Sequence, residues 1–253
     1  MLTLLYASIY SHGHDSKKSN TLIKQEKRRQ AIETRPHVVL GSRPGDTNKW
    51  TQCDLAKAII IEEDLRSPSS GFEPTSQPIG TVQTPKYLNF GVGEIEKEML
   101  FRHLPMLSAQ ASVLGNKGAP PELLAENLAK GQESELFKAN SFAKVIDLRN
   151  ANAEGIAYEN RRRIIHAFST PENPYDTGRV EVQAALLTYK IRNLYSHLTN
   201  FRRDVGNRRG LRKLIHKRAK ILRYLKRSDR QRYDSVLERL GLEPESVEGE
   251  LVV

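Results

Sequence analysis

One cysteine, Cys53, stands in a chain of 253 residues, so no intramolecular disulfide and no cysteine zinc cluster can be built. A reducing or thiol-tolerant compartment is the plain implication. Aromatic residues are scarce at 7%, and hydrophobic residues of all kinds reach 38% against 28% charged. A chain of that composition draws part of its order from a partner. Long apolar runs are missing. Residues 2–9 (LTLLYASI) are too short to span a bilayer and lack the basic flank that opens a secretory signal. Chemical signatures are missing too. His12 and His14 have no third ligand nearby. Gly91-Val92-Gly93 is half of a dinucleotide fingerprint without its third glycine, and reads as a turn before a helix. Glu62-Glu63-Asp64 reads as a solvated patch rather than a metal cluster. No nucleophile–base pattern appears, and nothing calls for catalysis, a cofactor or a metal.

What is present is positive charge, and it is concentrated. The chain carries 40 Lys/Arg and 30 Asp/Glu. Residues 176–241 hold 18 and 6 of these, net +12, which leaves 22 and 24 elsewhere, net −2. Charge gathered in one segment points to a polyanion as partner. Between Arg208 and Arg227 there are ten Lys/Arg and no acid, and such self-repulsion is tolerated readily when an anion neutralises it.

The same segment has clean helical periodicity. Val180, Ala184, Leu187, Ile191, Leu194, Leu198 and Phe201 fall on one stripe, with Asp176 or Thr177 as cap and Glu181 in the first turn. The run 204–210 (DVGNRRG), with two glycines, predicts a break. A second stripe follows in Leu211, Leu214, Ile215, Arg218, Leu222 and Leu225. Ser228-Asp229-Arg230-Gln231 reads as a capping box opening a third helix with Tyr233, Val236, Leu237 and Leu240 on one face, ended by Gly241. Three such helices bury their stripes against one another and leave the basic residues outside.

The strings Asp176-Thr177-Gly178, Glu181-Val182-Gln183-Ala184-Ala185-Leu186-Leu187-Thr188, Arg208-Arg209-Gly210-Leu211, Tyr224-Leu225-Lys226 and Arg239-Leu240-Gly241-Leu242 resemble, in order and spacing, the small-subunit ribosomal protein fifteen family. His197 and Asp204 fit the same pattern, and residues 161–168 (RRRIIHAF) match its first short helix more weakly. The resemblance implies a mainly α fold with a C-terminal helical bundle, no enzymatic activity and no cofactor. It implies binding to a three-way junction in the central domain of small-subunit ribosomal RNA. By position, Thr177, Gly178, Gln183, Tyr224 and Arg227, with Lys190, match junction contacts. His197 and Asp204 match contacts to a G·U/G·C minor-groove motif, with Asn207 where serine is common, and Arg208 and Arg209 extend the basic run beside them. Val180 and Arg179 depart from the family's usual hydroxyl residues. Double-stranded RNA is read through its wide minor groove, phosphates and hydroxyls, and this segment offers few aromatics for stacking unpaired bases.

About 160 residues precede the resembling segment, an addition similar to those of mitochondrial ribosomal proteins. The expected organisation is a mitochondrial targeting segment at 1–30, basic and acid-poor from Lys17 to Arg29, then an extended proline-rich arm at 31–120. Extension helices follow at 121–160, an rRNA-binding helical domain at 161–242 and a tail at 243–253. Within the extension, 49–66 reads as one helix, with Ala58–Ile61 equally readable as a strand. Residues 94–104, 121–130, 133–150 and 156–168 read as further helices. There is no proline between Pro121 and Ser169, and Pro121 suits a first helical position. Expected partners are small-subunit rRNA, neighbouring mitochondrial ribosomal proteins and the large subunit, with no membrane span, in the mitochondrial matrix. Trp50, Ala58–Ile61 and Tyr87–Phe90 are the expected anchors on protein neighbours. The helices from Tyr175 to Leu242 are expected to be self-contained, with 1–160 dispensable for junction binding. A free-standing RNA-binding regulator or maturation factor is the rival reading.

Overall fold

The computed structural model describes residues 35–248 except 44, 47, 68–70 and 115–119, together with residues 23 and 26. The targeting segment expected at 1–30, with His12 and His14, lies outside the described residues apart from those two positions. The described residues are mainly helical, with one two-stranded sheet. They fall into two compact units: those up to Lys57 together with those from Phe168 on, and those from Ala58 to Ala167.

In the second unit a hairpin of β1 (Phe72–Gln77) and β2 (Gly80–Pro85) packs on helices. Pro74 sits in β1, a strand with one unpaired edge where a missing N–H does no harm. Gly80 turns the hairpin at φ 129°, a conformation only glycine adopts freely. Val82, Leu88, Phe101, Ala139, Ala143 and Ile146 form one buried cluster, and Ile60, Leu65 and Leu148 another. Residues 94–114 form one rod with an extra residue in the wide turn Met99–His103. One 25-residue helix, Pro121–Val145, replaces the two expected there; an interior glycine costs only about 1 kcal/mol, and Gly131 does not break it. Gly155 likewise lies inside the helix Ala153–Phe168, whose last residue, Phe168, falls in the first unit. Instead of one helix over 49–66 there are three five-residue pieces, Asn48–Gln52, Asp54–Ala58 and Glu62–Arg66. Residues 59–61 between the last two are neither helix nor strand. Asn160 brackets Ile60, accepting from its N–H at 2.8 Å and donating to its carbonyl at 2.9 Å.

The first unit is built on α1 (Val180–Asn200), α2 (Val205–Ser228), α3 (Arg230–Leu240) and α4 (Pro244–Glu248). The break between α1 and α2 is confined to 201–204. Asp204 caps α2 by accepting from the Asn207 N–H at 2.9 Å, so Gly206 and Gly210 lie inside the helix. Two expected caps move. Arg179, not Asp176 or Thr177, stands at the start of α1. Asp176 instead accepts from the Gly178 N–H at 2.9 Å. Asp229, not Ser228, caps α3 through the Arg232 N–H at 3.0 Å. Gly241 ends α3 in the left-handed region at φ 64°.

Residues 35–57 are woven into this unit, so the helices from Tyr175 to Leu242 are not self-contained. Val39 is buried among Ile191, Leu211 and Ile215. Arg218, on the apolar stripe of α2 and 1% exposed, donates to the Val38 carbonyl at 2.7 Å and to that of Val39 at 3.4 Å. Arg192 donates to the Leu40 carbonyl at 3.0 Å and stacks over the Trp50 ring at 3.2 Å. Both guanidinium pKa values are lowered to about 10, chiefly by burial. The Glu243 N–H donates to the Gly41 carbonyl at 2.8 Å, and Arg239 pairs with Asp54 at 2.7 Å. A Cβ on Gly41 would run into Leu242. Trp50, expected as an anchor on a neighbour, is thus used internally. Of the other expected anchors Ile60 and Leu88 are buried, while Ile61 and Phe90 stay exposed.

Candidate nucleic-acid interface

α1 and α2, joined by four residues, form an antiparallel hairpin in which Ile191 meets Leu211 and Ile215. At 100° per residue, the buried Leu211, Ile215, Arg218, Leu222 and Leu225 occupy one side of α2. Arg209, Lys213, His216, Lys217, Lys220, Tyr224 and Arg227 fall on the other and are all exposed. That cationic stripe runs about 27 Å at 1.5 Å per residue. Arg218 is the one basic residue of α2 withdrawn from it to the core.

The turn end of the hairpin brings three of the expected residues together. His197 Nε2 lies 3.1 Å from Asp204 Oδ2, and Asn207 Nδ2 donates to the same oxygen at 2.6 Å. Phe201 stacks on the His197 ring at 4.8 Å and is 61% exposed, so the last residue of the expected apolar stripe faces solvent instead. His197, Asn200, Phe201, Arg202, Arg203 and Asp204 line an open recess here. Spacing does not single out Asn200, the last residue of α1, or the Arg202-Arg203 pair, which belongs to an irregular turn. Arg208 donates to the Arg202 carbonyl and closes that turn. Arg209 lies exposed beside it.

Three hydrogen bonds, the strongest from the Asn207 N–H and the next from His197, hold the Asp204 carboxyl down from 3.8 to about 2. A carboxylate with a depressed folded pKa contributes stability above its unfolded value, lost as pH falls through the folded one. The first turn of α2 is therefore expected to loosen between about pH 4 and pH 2. Faster amide exchange at Asn207 over that window, absent in Asp204→Asn, would show it; equal exchange in both would refute it.

At the far end of the hairpin lie the other expected contacts. Gly178 and Gln183 are joined by Gln183 Nε2 donating to the Gly178 carbonyl at 3.1 Å. Thr177 and Gly178 are exposed in the loop before α1, and nothing packs against a Gly178 Cβ except Asp176 at 3.2 Å. Tyr224 and Arg227 project from the last turns of α2, Tyr224 being 56% exposed. Lys190 is exposed midway along α1. Gln183 and His197 are about 20 Å apart along α1, so the hairpin presents two polar ends joined by one cationic face. Glu181, buried in the first turn of α1, ties it to α3. Burial would raise its pKa, but hydrogen bonds from Arg179 and Arg232 outweigh that and lower it.

Among the described residues no group of three His, Cys, Asp or Glu could hold a metal, and no helix is long and apolar enough to cross a membrane.

Residues 161–243 match the family model described as ribosomal protein S15. The chain is 46% identical over 87 residues to the small ribosomal subunit protein uS15 of Brevibacillus brevis, covering 34% of this chain and 96% of that one. It is 25% identical over 245 residues to the small ribosomal subunit protein uS15m of Schizosaccharomyces pombe, covering 93% and 83%.

Proposed function

The chain belongs to the ribosomal protein S15 family, and from that premise we propose that its first unit binds a three-way junction in the central domain of small-subunit ribosomal RNA and holds it during assembly. This is a long mitochondrial form of the family, a structural, non-enzymatic constituent of the mitochondrial small ribosomal subunit, with ribosomal RNA and ribosomal proteins as partners.

The observation that carries the finer reading is the cationic stripe from Arg209 to Arg227 with a polar cluster at each end. An A-form helix presents phosphates and 2′-hydroxyls rather than a readable major groove. A straight face of lysines and arginines about 27 Å long matches such a backbone. Thr177, Gly178, Gln183, Tyr224 and Arg227 would meet the junction, with Lys190 on its flank. His197, Asp204 and Asn207 would read the minor groove of a neighbouring helix. The hydrogen bonds from His197 and Asn207 fix the Asp204 carboxylate, which then accepts from groups in that groove. Arg208 and Arg209 supply phosphate contacts beside it. The second unit, whose charge is nearly balanced, would meet protein neighbours, and a contact to the large subunit belongs to the same proposal.

His197→Ala and Asp204→Ala are expected to weaken binding to the intact RNA. Asp204 also caps α2, so its loss destabilises the helix start as well, but that loss is the same on any RNA. Measuring both variants on RNA with and without the minor-groove motif therefore isolates the contact. Coupling of about 0.5–3 kcal/mol is expected. Strict additivity would mean the pair only shapes the turn.

A further inference from the structure

α4 follows the αL turn at Gly241, and its residues lie just past the stretch matched to the family. It folds back on the basic helix. Ser246 and Val247 are each 1% exposed, and the Val247 carbonyl accepts from Arg223 at 3.3 Å. Beyond these anchors the Glu248 carboxylate reaches Lys226 Nζ at 2.6 Å and accepts from the Tyr233 hydroxyl at 2.7 Å. His216, Ala219, Lys220, Arg223, Lys226, Arg227 and Glu248 line one concavity. Among the described residues one carboxylate thus stands with four permanent cations and a histidine, in a recess that includes Arg227 of the proposed junction contact.

Resting on the RNA reading above, we infer that Glu248 is an internal anion that limits the grip of this recess on an RNA phosphate. The hydrogen bond from Lys226, and then that from Tyr233, keep the carboxyl below its ordinary pKa, so it is charged at neutral pH. A charged carboxylate in this recess acts on a phosphate in two ways. It neutralises Lys226, which then releases no counterion on binding, and it repels the incoming anion directly. Fastening α4 does not require the charge, because Ser246, Val247 and the Arg223 hydrogen bond already hold the segment down. The carboxylate is the surplus element, and its place is where a phosphate oxygen would sit.

The test is Glu248→Gln in the full chain, which keeps the shape while removing the charge: the amide oxygen still accepts from Lys226, and the amide NH2 donates to the Tyr233 oxygen in place of accepting from it. Binding to a small-subunit rRNA junction fragment would be measured across salt, together with thermal unfolding. The variant is expected to bind about three- to tenfold tighter, with a salt slope steeper by about 0.9, one extra phosphate contact, and with unchanged melting. Lys226→Gln alone is expected to change affinity little, and Lys226→Gln combined with Glu248→Gln to give back part of the gain. Unchanged or weaker binding by Glu248→Gln, or a large loss from Lys226→Gln alone, would overturn the inference. If the unmodified chain does not bind the fragment at all, the RNA reading itself fails, and the brake with it.

Discussion

Replacing Arg218 by alanine should lower the stability of the full chain by about 3–5 kcal/mol. The guanidinium donates to the carbonyls of Val38 and Val39 in a site that is 1% exposed. Without it those acceptors are buried and unpaired, at about 1–3 kcal/mol each where no water enters. Two buried methylenes, Cγ and Cδ, are lost as well, about 0.8 kcal/mol apiece. Relief from burying a charge works the other way, since burial has already lowered this pKa to about 10. Arg218→Met keeps the volume and gains that relief, so it should cost roughly half as much. Denaturant unfolding of both variants, with a cycle against Val39→Ala, measures the effect. Coupling of about 0.5–3 kcal/mol between positions 39 and 218 is expected. Losses under about 0.5 kcal/mol for Arg218→Ala, within the range of ordinary surface substitutions, would mean that residues 35–43 are not held by this arginine. A fragment starting at residue 152 lacks all of these contacts and should unfold more easily than the full chain.

The same arginine shows what could and could not be seen in the sequence. Its position on the apolar stripe of α2 was plain from the 3.6-residue period, as were the three long helices, the αL stop at Gly241 and the charged face. These features are local, decided within one or two turns by side-chain spacing and backbone freedom. The partner of Arg218 was invisible, because a carbonyl 180 residues upstream leaves no local pattern. The hairpin at 72–85 was missed for a related reason. Its prolines read as interruptions, although Pro74 is harmless at an edge and Gly80 makes the turn. The turn cluster was legible by resemblance, yet its mutual hydrogen bonds were not. Asp204 serves both as helix cap and as acceptor from His197, a double use that residue spacing alone does not disclose. α4 leaves no mark in the sequence, because a five-residue helix carries no period.

Salt is expected to move RNA binding further than any single substitution. Each phosphate neutralised by a lysine or arginine releases condensed counterions, so the slope of log affinity on log salt counts the contacts, at about 0.9 each. The exposed stripe offers Arg209, Lys213, Lys217, Lys220 and Arg227, and Lys190 adds one from α1. Six contacts give a slope near −5 and a loss of about 10³-fold between 50 and 200 mM salt. The structure divides the basic residues sharply for this measurement. Lys213→Ala and Lys217→Ala should each make the slope shallower by about 0.9 and weaken binding evenly across RNA sequences. Arg192 and Arg218 face carbonyls of residues 38–40 rather than solvent, so substituting them should leave the slope unchanged even where it lowers stability. A titration of the full chain and these variants on the junction fragment decides the matter. A flat salt dependence would remove the phosphate-lined face from the account. Equal slope changes from Arg218 and Lys213 variants would place the RNA on a different side of α2.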